Sequence, residues 1–96
     1  MVTKSQIIKK IKSEKDALKI SGVNKIGLFG SFLKNKQKKN SDVDILIEFD
    51  DLTFDNYMKV FYLLEKITKR KVDLVIESDL KPELNYIKKE VKYVKI

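Results

Sequence analysis

Two aspartates one residue apart, Asp42 and Asp44, stand at the head of an alternating apolar run, and no other stretch restricts the chain so tightly. Successive side chains of a strand point to opposite faces, so residues i and i+2 share a face about 7 Å apart. Val43, Ile45, Ile47 and Phe49 then take the other face. That set is long enough to fasten the strand to a core, and both carboxylates project from a rigid element. Like charges this close, partly withdrawn from water, raise each other's pKa unless a cation lies between them. The chain has no cysteine and no histidine, which removes the ligands that zinc, copper or iron favour. Oxygen donors remain, and they suit Mg²⁺ or Mn²⁺ held by one or two carboxylates together with phosphates. Taken alone, an Asp-x-Asp pair more often marks a strand end with its acids in solvent.

The segment just upstream narrows the choice. Ile26 to Phe29 reads as a short strand, and Gly30-Ser31 follows it directly, ahead of a stretch that can begin a helix. Glycine lets the backbone approach an anion closely, and the free N–H groups of a turn or helix start can hold phosphate, with the Ser31 hydroxyl in support. A lone Gly-Ser is equally well explained as a tight turn and a helix cap. A phosphate grip and metal-binding acids within one hairpin-like unit are a more specific combination.

Gly30-Ser31, followed after a spacer by Ser41-Asp42-Val43-Asp44, resembles the GS…SDxD signature of the nucleotidyltransferase superfamily shared with DNA polymerase beta. The short chain resembles its minimal branch, found as antitoxins beside HEPN-domain toxins, and the similarity covers nearly the whole length. It implies an α+β fold of the polymerase beta palm type, a short mixed sheet flanked by helices. It also implies a third carboxylate on the next strand, and Asp73 within Lys71-Val72-Asp73-Leu74-Val75 is the match. On this resemblance Asp42, Asp44 and Asp73 are the catalytic and metal-holding residues, with Mg²⁺ (or Mn²⁺) as the ion, while Gly30, Ser31 and Lys34 bind the nucleotide phosphates. The implied reaction moves AMP from ATP to a tyrosine of a HEPN ribonuclease toxin and releases pyrophosphate. Family members often carry an Arg-Gly pair shortly after the serine, where this chain has Lys34-Asn35. Lysine keeps the charge but loses the bidentate fork that grips phosphate.

The rest of the chain reads as scaffold. A helix is expected from about Ser5 to Ile20, with Thr3 and Gln6 spaced as a capping box, Ile7, Ile11 and Leu18 on one face with Ile8 at its edge, and Gly22 closing it. Val23 to Phe29 follows as the first strand. Lys34 to Asn40 is too polar to bury itself and is expected as a mobile surface loop after one helical turn at Phe32 and Leu33. Glu48 shares the aspartate face by alternation, although a solvated strand end explains it more simply than a metal ligand. A second helix is expected over about Thr53 to Thr68, with Phe54, Tyr57, Met58, Phe61, Leu64 and Ile67 as its buried stripe. In the third strand, Val72 to Ile76, Val72, Leu74 and Ile76 face one side and Asp73 the other. Pro82 suits the first turn of a final helix packed through Leu84, Ile87 and Val91, with Lys88, Lys89, Lys92 and Lys95 outside, and Val91 to Ile96 reads as an edge strand.

At 96 residues the chain is expected to form a single domain, residues 1–96. Its net charge of +7 comes almost wholly from lysine, Arg70 being the sole arginine, and a solvated surface accounts for that balance better than a nucleic-acid target. Absent cysteines fit a reducing cytoplasm, and lysines at 4, 9, 10 and 12 leave no apolar core for a signal peptide. Nothing in the chain suggests a membrane span. A hetero-oligomer with the partner protein is expected, a homodimer being the other option. Two other readings compete: an antitoxin or regulatory subunit that masks its partner by binding, and nucleotidyl transfer to a small molecule.

Overall fold

The computed structural model describes residues 3–96. Thr3 accepts the Gln6 amide through its hydroxyl at 3.3 Å and donates its own amide to Gln6 Oε1 at 2.9 Å, completing the anticipated capping box. The helix it opens is not continuous. α1 covers Lys4–Ser13, Glu14 leaves helical geometry at φ −107° and ψ 19°, and α2 resumes over Lys15–Ile20. Ser13 Oγ donates to the Lys10 carbonyl at 2.6 Å, and such side-chain back-bonding competes with the helix ladder and bends it. Ile7, Ile11 and Leu18 are nevertheless buried together, as their spacing predicts. Gly22, at φ 85°, ends α2.

The remaining elements are β1 (Val23–Phe29), α3 (Gly30–Leu33), β2 (Val43–Phe49), α4 (Phe54–Thr68), β3 (Val72–Ile76), α5 (Tyr86–Glu90) and β4 (Lys92–Val94). They form a small α+β fold around one mixed sheet of order β3-β2-β1-β4. β1 runs antiparallel to both β2 and β4, whereas β2 and β3 are parallel. The parallel pair needs a crossover, and α4 supplies it. Ile26 and Leu28 of β1 join Val43, Ile45 and Ile47 of β2 against α1, α2 and α4. The apolar side of the Asp-x-Asp strand is therefore an anchor, as its alternation requires.

Three further expectations are corrected. In α4 the fully buried positions are Val60, Leu64 and Thr68, with Tyr57, Met58, Phe61 and Ile67 half-buried, while Phe54 is 78% exposed. The two candidate stripes share Leu64, and the one containing the smaller Val60 and Thr68 lets the helix approach the sheet more closely. Thr68 has its hydroxyl satisfied by the Leu64 carbonyl at 2.7 Å. Pro82 does not open the last helix: Pro82–Leu84 is one separate 3-10 turn, Leu84 is exposed, and α5 starts at Tyr86. The edge strand is shorter than anticipated, Lys92–Val94 rather than the last six residues. Among the described residues no helix is long and apolar enough to cross a membrane.

The rotated α4 gives a direct check by urea denaturation. Leu64→Ala should cost about 2–5 kcal/mol, the usual range for a buried leucine, whereas Phe54→Ser should change stability by less than about 0.5 kcal/mol.

Candidate active site

Strand register assembles the site. Asp44 lies opposite Phe29 of β1 and opposite Asp73 of β3, so the middle strand carries an acid whose parallel neighbour carries another at the same level. Neighbouring strands are about 4.8 Å apart. Asp42 immediately precedes β2, whose first residue is Val43, and it is exposed. The three carboxylates thus form a corner: Asp42 and Asp44 along one strand direction, Asp73 across.

Gly30 follows Phe29 and places its backbone against the middle acid. At φ 76° it occupies the left-handed region, and a Cβ there would overlap Asp44 Oδ2 and lie 2.9 Å from its Cγ. Only glycine fits. Ser31 follows in the same turn at the start of α3. Burial, then the charges of Asp73 and Asp42, push the Asp44 carboxyl up to about 6. Among the described residues no three acids are already drawn into a chelating cluster. Asp42 and Asp73 are both exposed, so their side chains are free to rotate onto a cation. Oxygen-only donors, an acid burdened by its neighbours' charge and a backbone turn pressed against it fit a hard divalent ion.

The run from Lys34 to Asn40 is exposed apart from the half-buried Gln37, yet it is not loose throughout. Arg70 Nε donates to the Ser41 carbonyl at 3.2 Å, and its Nη2 donates to the carbonyls of Lys38, at 3.3 Å, and Lys39. Its guanidinium lies 5.2 Å from the Phe32 ring centroid. Ser41 Oγ accepts the Lys38 amide at 2.7 Å, and the Val43 amide donates to the Lys71 carbonyl at 2.9 Å. Arg70 therefore fixes the approach to Asp42, a positioning role that motif spacing did not reveal. Its being the only arginine in a lysine-rich chain was the available signal. Lys34 sits one residue past α3 with Nζ 3.3 Å from Glu90 Oε2. Glu48 stays apart from the aspartates: Lys25 Nζ is 3.9 Å from it and 3.8 Å from Glu77.

A turn is pressed on the middle of three acids at the end of a mixed sheet, and the family model of the nucleotidyltransferase domain matches residues 5–96. The chain belongs to that family, in its minimal branch. Protein adenylyltransferase MntA of Thermococcus cleftensis is 37% identical to it over 75 residues, 76% of each chain. A candidate protein adenylyltransferase of Methanocaldococcus jannaschii is 36% identical over 95 residues, 95% of this chain and 93% of that one. A chain in a crystal structure of a toxin–antitoxin with AMP-PNP superposes with a TM-score of 0.68 at 25% identity, over 98% of this chain and 73% of its own length.

The strain on Asp44 is measurable without substrate. A carboxyl raised from 3.8 to about 6 favours folding below its unfolded pKa, and that contribution disappears as pH rises through the folded value. At pH 7.5 in EDTA, Asp44→Asn should therefore stabilise the protein. Allowing for solvent screening at this half-exposed position, the gain is about 1 kcal/mol, or about 4–8 °C in melting temperature. The difference between variant and wild type should shrink as pH falls from 7 to 4 in thermal melts.

Proposed function

We propose that this protein is an adenylyltransferase antitoxin that transfers AMP from ATP to a hydroxyl, that of a tyrosine on a HEPN ribonuclease toxin, with release of pyrophosphate. The observation that carries this reading is the register that sets Asp44 beside Asp73 while Gly30 lies against Asp44. Asp42, Asp44 and Asp73 hold Mg²⁺, which supplies charge neutralisation of the triphosphate and of the oxygens being exchanged. Gly30 and Ser31 hold the outgoing phosphates through backbone N–H groups and the Ser31 hydroxyl. Lys34 leaves Glu90 to meet the same phosphates as a point charge. In an in-line displacement the hydroxyl enters opposite the leaving group, from the Asp73 side, and Asp73 accepts its proton. Positioning and charge suffice for this chemistry, so no side-chain nucleophile is required. The kinship with MntA and with a toxin–antitoxin chain seen with AMP-PNP supports ATP as donor and a toxin as partner in a hetero-oligomer. A reducing, ATP-supplied cytoplasm suits both.

The Lys34–Glu90 pair favours one alternative, a protein that masks its partner by binding alone, because it engages the lysine that should meet phosphate. Intact-mass spectrometry of a co-expressed HEPN protein, after incubation with Mg²⁺ and ATP, separates the two. The transferase reading expects a mass gain of one or more AMP units, reduced at least 100-fold in rate by Asp42→Asn. A tight complex with no mass gain from wild type and variant alike would establish masking instead.

A further inference from the structure

α4 buries one face, through Val60, Leu64 and Thr68, and turns the opposite face to solvent. On that outward face Phe54 is 78% exposed, Tyr62 is 63% exposed, and Met58 between them is half-buried. Residues four apart on a helix are neighbours, so the three make one stripe just over two turns long. The Phe61 ring stacks on that of Tyr62, 5.8 Å between centroids and 3° between planes, and this holds the far end of the stripe in place. Single exposed apolar residues are ordinary, but a contiguous stripe with two aromatics marks a contact surface.

The charges along the stripe divide by sign. Asp50, Asp51 and Asp55 surround its N-terminal end, while Lys59, Lys66 and Lys69 follow toward the C-terminus, and all six are exposed. Among the described residues none of the six is in an ion pair. Glu65, the acid in the C-terminal half of α4, is engaged elsewhere, accepting the Val72 amide at 3.3 Å. A partner of one sign would be repelled by one half of this face. A second copy laid antiparallel meets opposite charge at both ends, and the two helix dipoles then oppose each other favourably as well.

A two-fold axis at Met58 gives the pairing. Phe54, four residues before it, faces Tyr62 of the second copy, four residues after it, and Lys66, eight after, faces Asp50 and Asp51. Each contact occurs twice, so the face complements itself, as a two-fold interface requires. An aromatic side chain buries about 150–250 Å². Two from each copy, with Met58 between them, supply the apolar core of an interface near the small end of the usual range, about 600 Å² per partner. A dimer of that size is expected in the micromolar range.

We propose that the outward face of α4 is the interface of a two-fold dimer of this chain, with the two α4 helices antiparallel across Met58. The arrangement leaves the acids free. Thr68 ends α4 ten residues past the axis, about 15 Å at 1.5 Å per residue, and Asp73 lies beyond it on β3. The two sites therefore stand at opposite ends of the pair, about 30 Å apart or more, each open to its own ligands. The dimer holds whichever chemistry the site performs, so it goes beyond the transferase reading without resting on it.

Sedimentation equilibrium of the full chain, from about 1 to about 500 µM protein, covers the affinities that a small interface reaches. The chain should pass from monomer to dimer, and Phe54→Ser/Tyr62→Ser should weaken the dimer about tenfold or more. Both rings face solvent in the isolated chain, so this variant should keep its fold, which circular dichroism of the dilute monomer reports. Charge exchange tests the geometry separately. Lys66→Glu and Asp50→Lys/Asp51→Lys should each weaken the dimer about fivefold. An equimolar mixture of those two variants should restore it, because an antiparallel pair sets these positions against each other. A chain that stays monomeric throughout, a dimer indifferent to the aromatic or charge substitutions, or weakened charge variants that mixing does not restore would overturn the proposal. A monomeric wild type whose binding to a co-expressed HEPN protein is lost in Phe54→Ser/Tyr62→Ser would give the face to that partner and overturn it too.

Discussion

The close approach of the Gly30 backbone to the Asp44 carboxylate is the constraint on which the site depends. It requires a residue without Cβ at φ 76°, and it forces an acid into partial burial beside two others. The apolar face of β2 supplies the anchorage: Val43, Ile45 and Ile47 are buried against the helices. Hydrophobic burial on one side of a strand thus holds in place a charge arrangement that would otherwise spread apart. The resulting strain on Asp44, a carboxyl pushed up to about 6, is one that a cation would relieve.

Arg70 supplies the second restraint. By donating to three carbonyls of the 38–41 segment, it joins the end of a strongly basic loop to the start of β3. Asp42 therefore hangs from a clamped segment rather than a free one. The same clamp walls one side of a cleft whose Lys39, Lys69 and Lys71 have no carboxylate partner among the described residues. Stability and recognition are divided here between residue types: arginine, with its fixed fork of donors, holds backbone, and lysine presents charge.

The strands were legible because β2 and β3 are apolar runs broken only by acids, and because Gly22 and Gly30 sit where the backbone needs them. Asp44 and Asp73 fall in register as the pattern of the two strands implied, and the capping box at Thr3 and Gln6 is present. Less was legible where two patterns overlap. α4 has two stripes through Leu64, and aromatic size pointed to the one containing Phe54, whereas closeness of packing selected the one containing Val60 and Thr68. The break at Glu14 depends on a Ser13 back-bond that periodicity does not register. The place of Lys34 after the serine points to phosphate, and its pairing with Glu90, 56 positions away in sequence, is a contact that local spacing does not display. Arg70 acts through long-range bonds to carbonyls, which side-chain patterns cannot display.

The central claim is that a glycine turn and three acids make one metal-dependent nucleotide site, and calorimetric titration of AMP-PNP tests it most directly. Wild-type protein should bind the nucleotide with Mg²⁺ and at least tenfold more weakly in EDTA, and Gly30→Ala should abolish the metal-dependent part. Nucleotide binding that is indifferent to Mg²⁺, or that survives Gly30→Ala unchanged, would contradict the account.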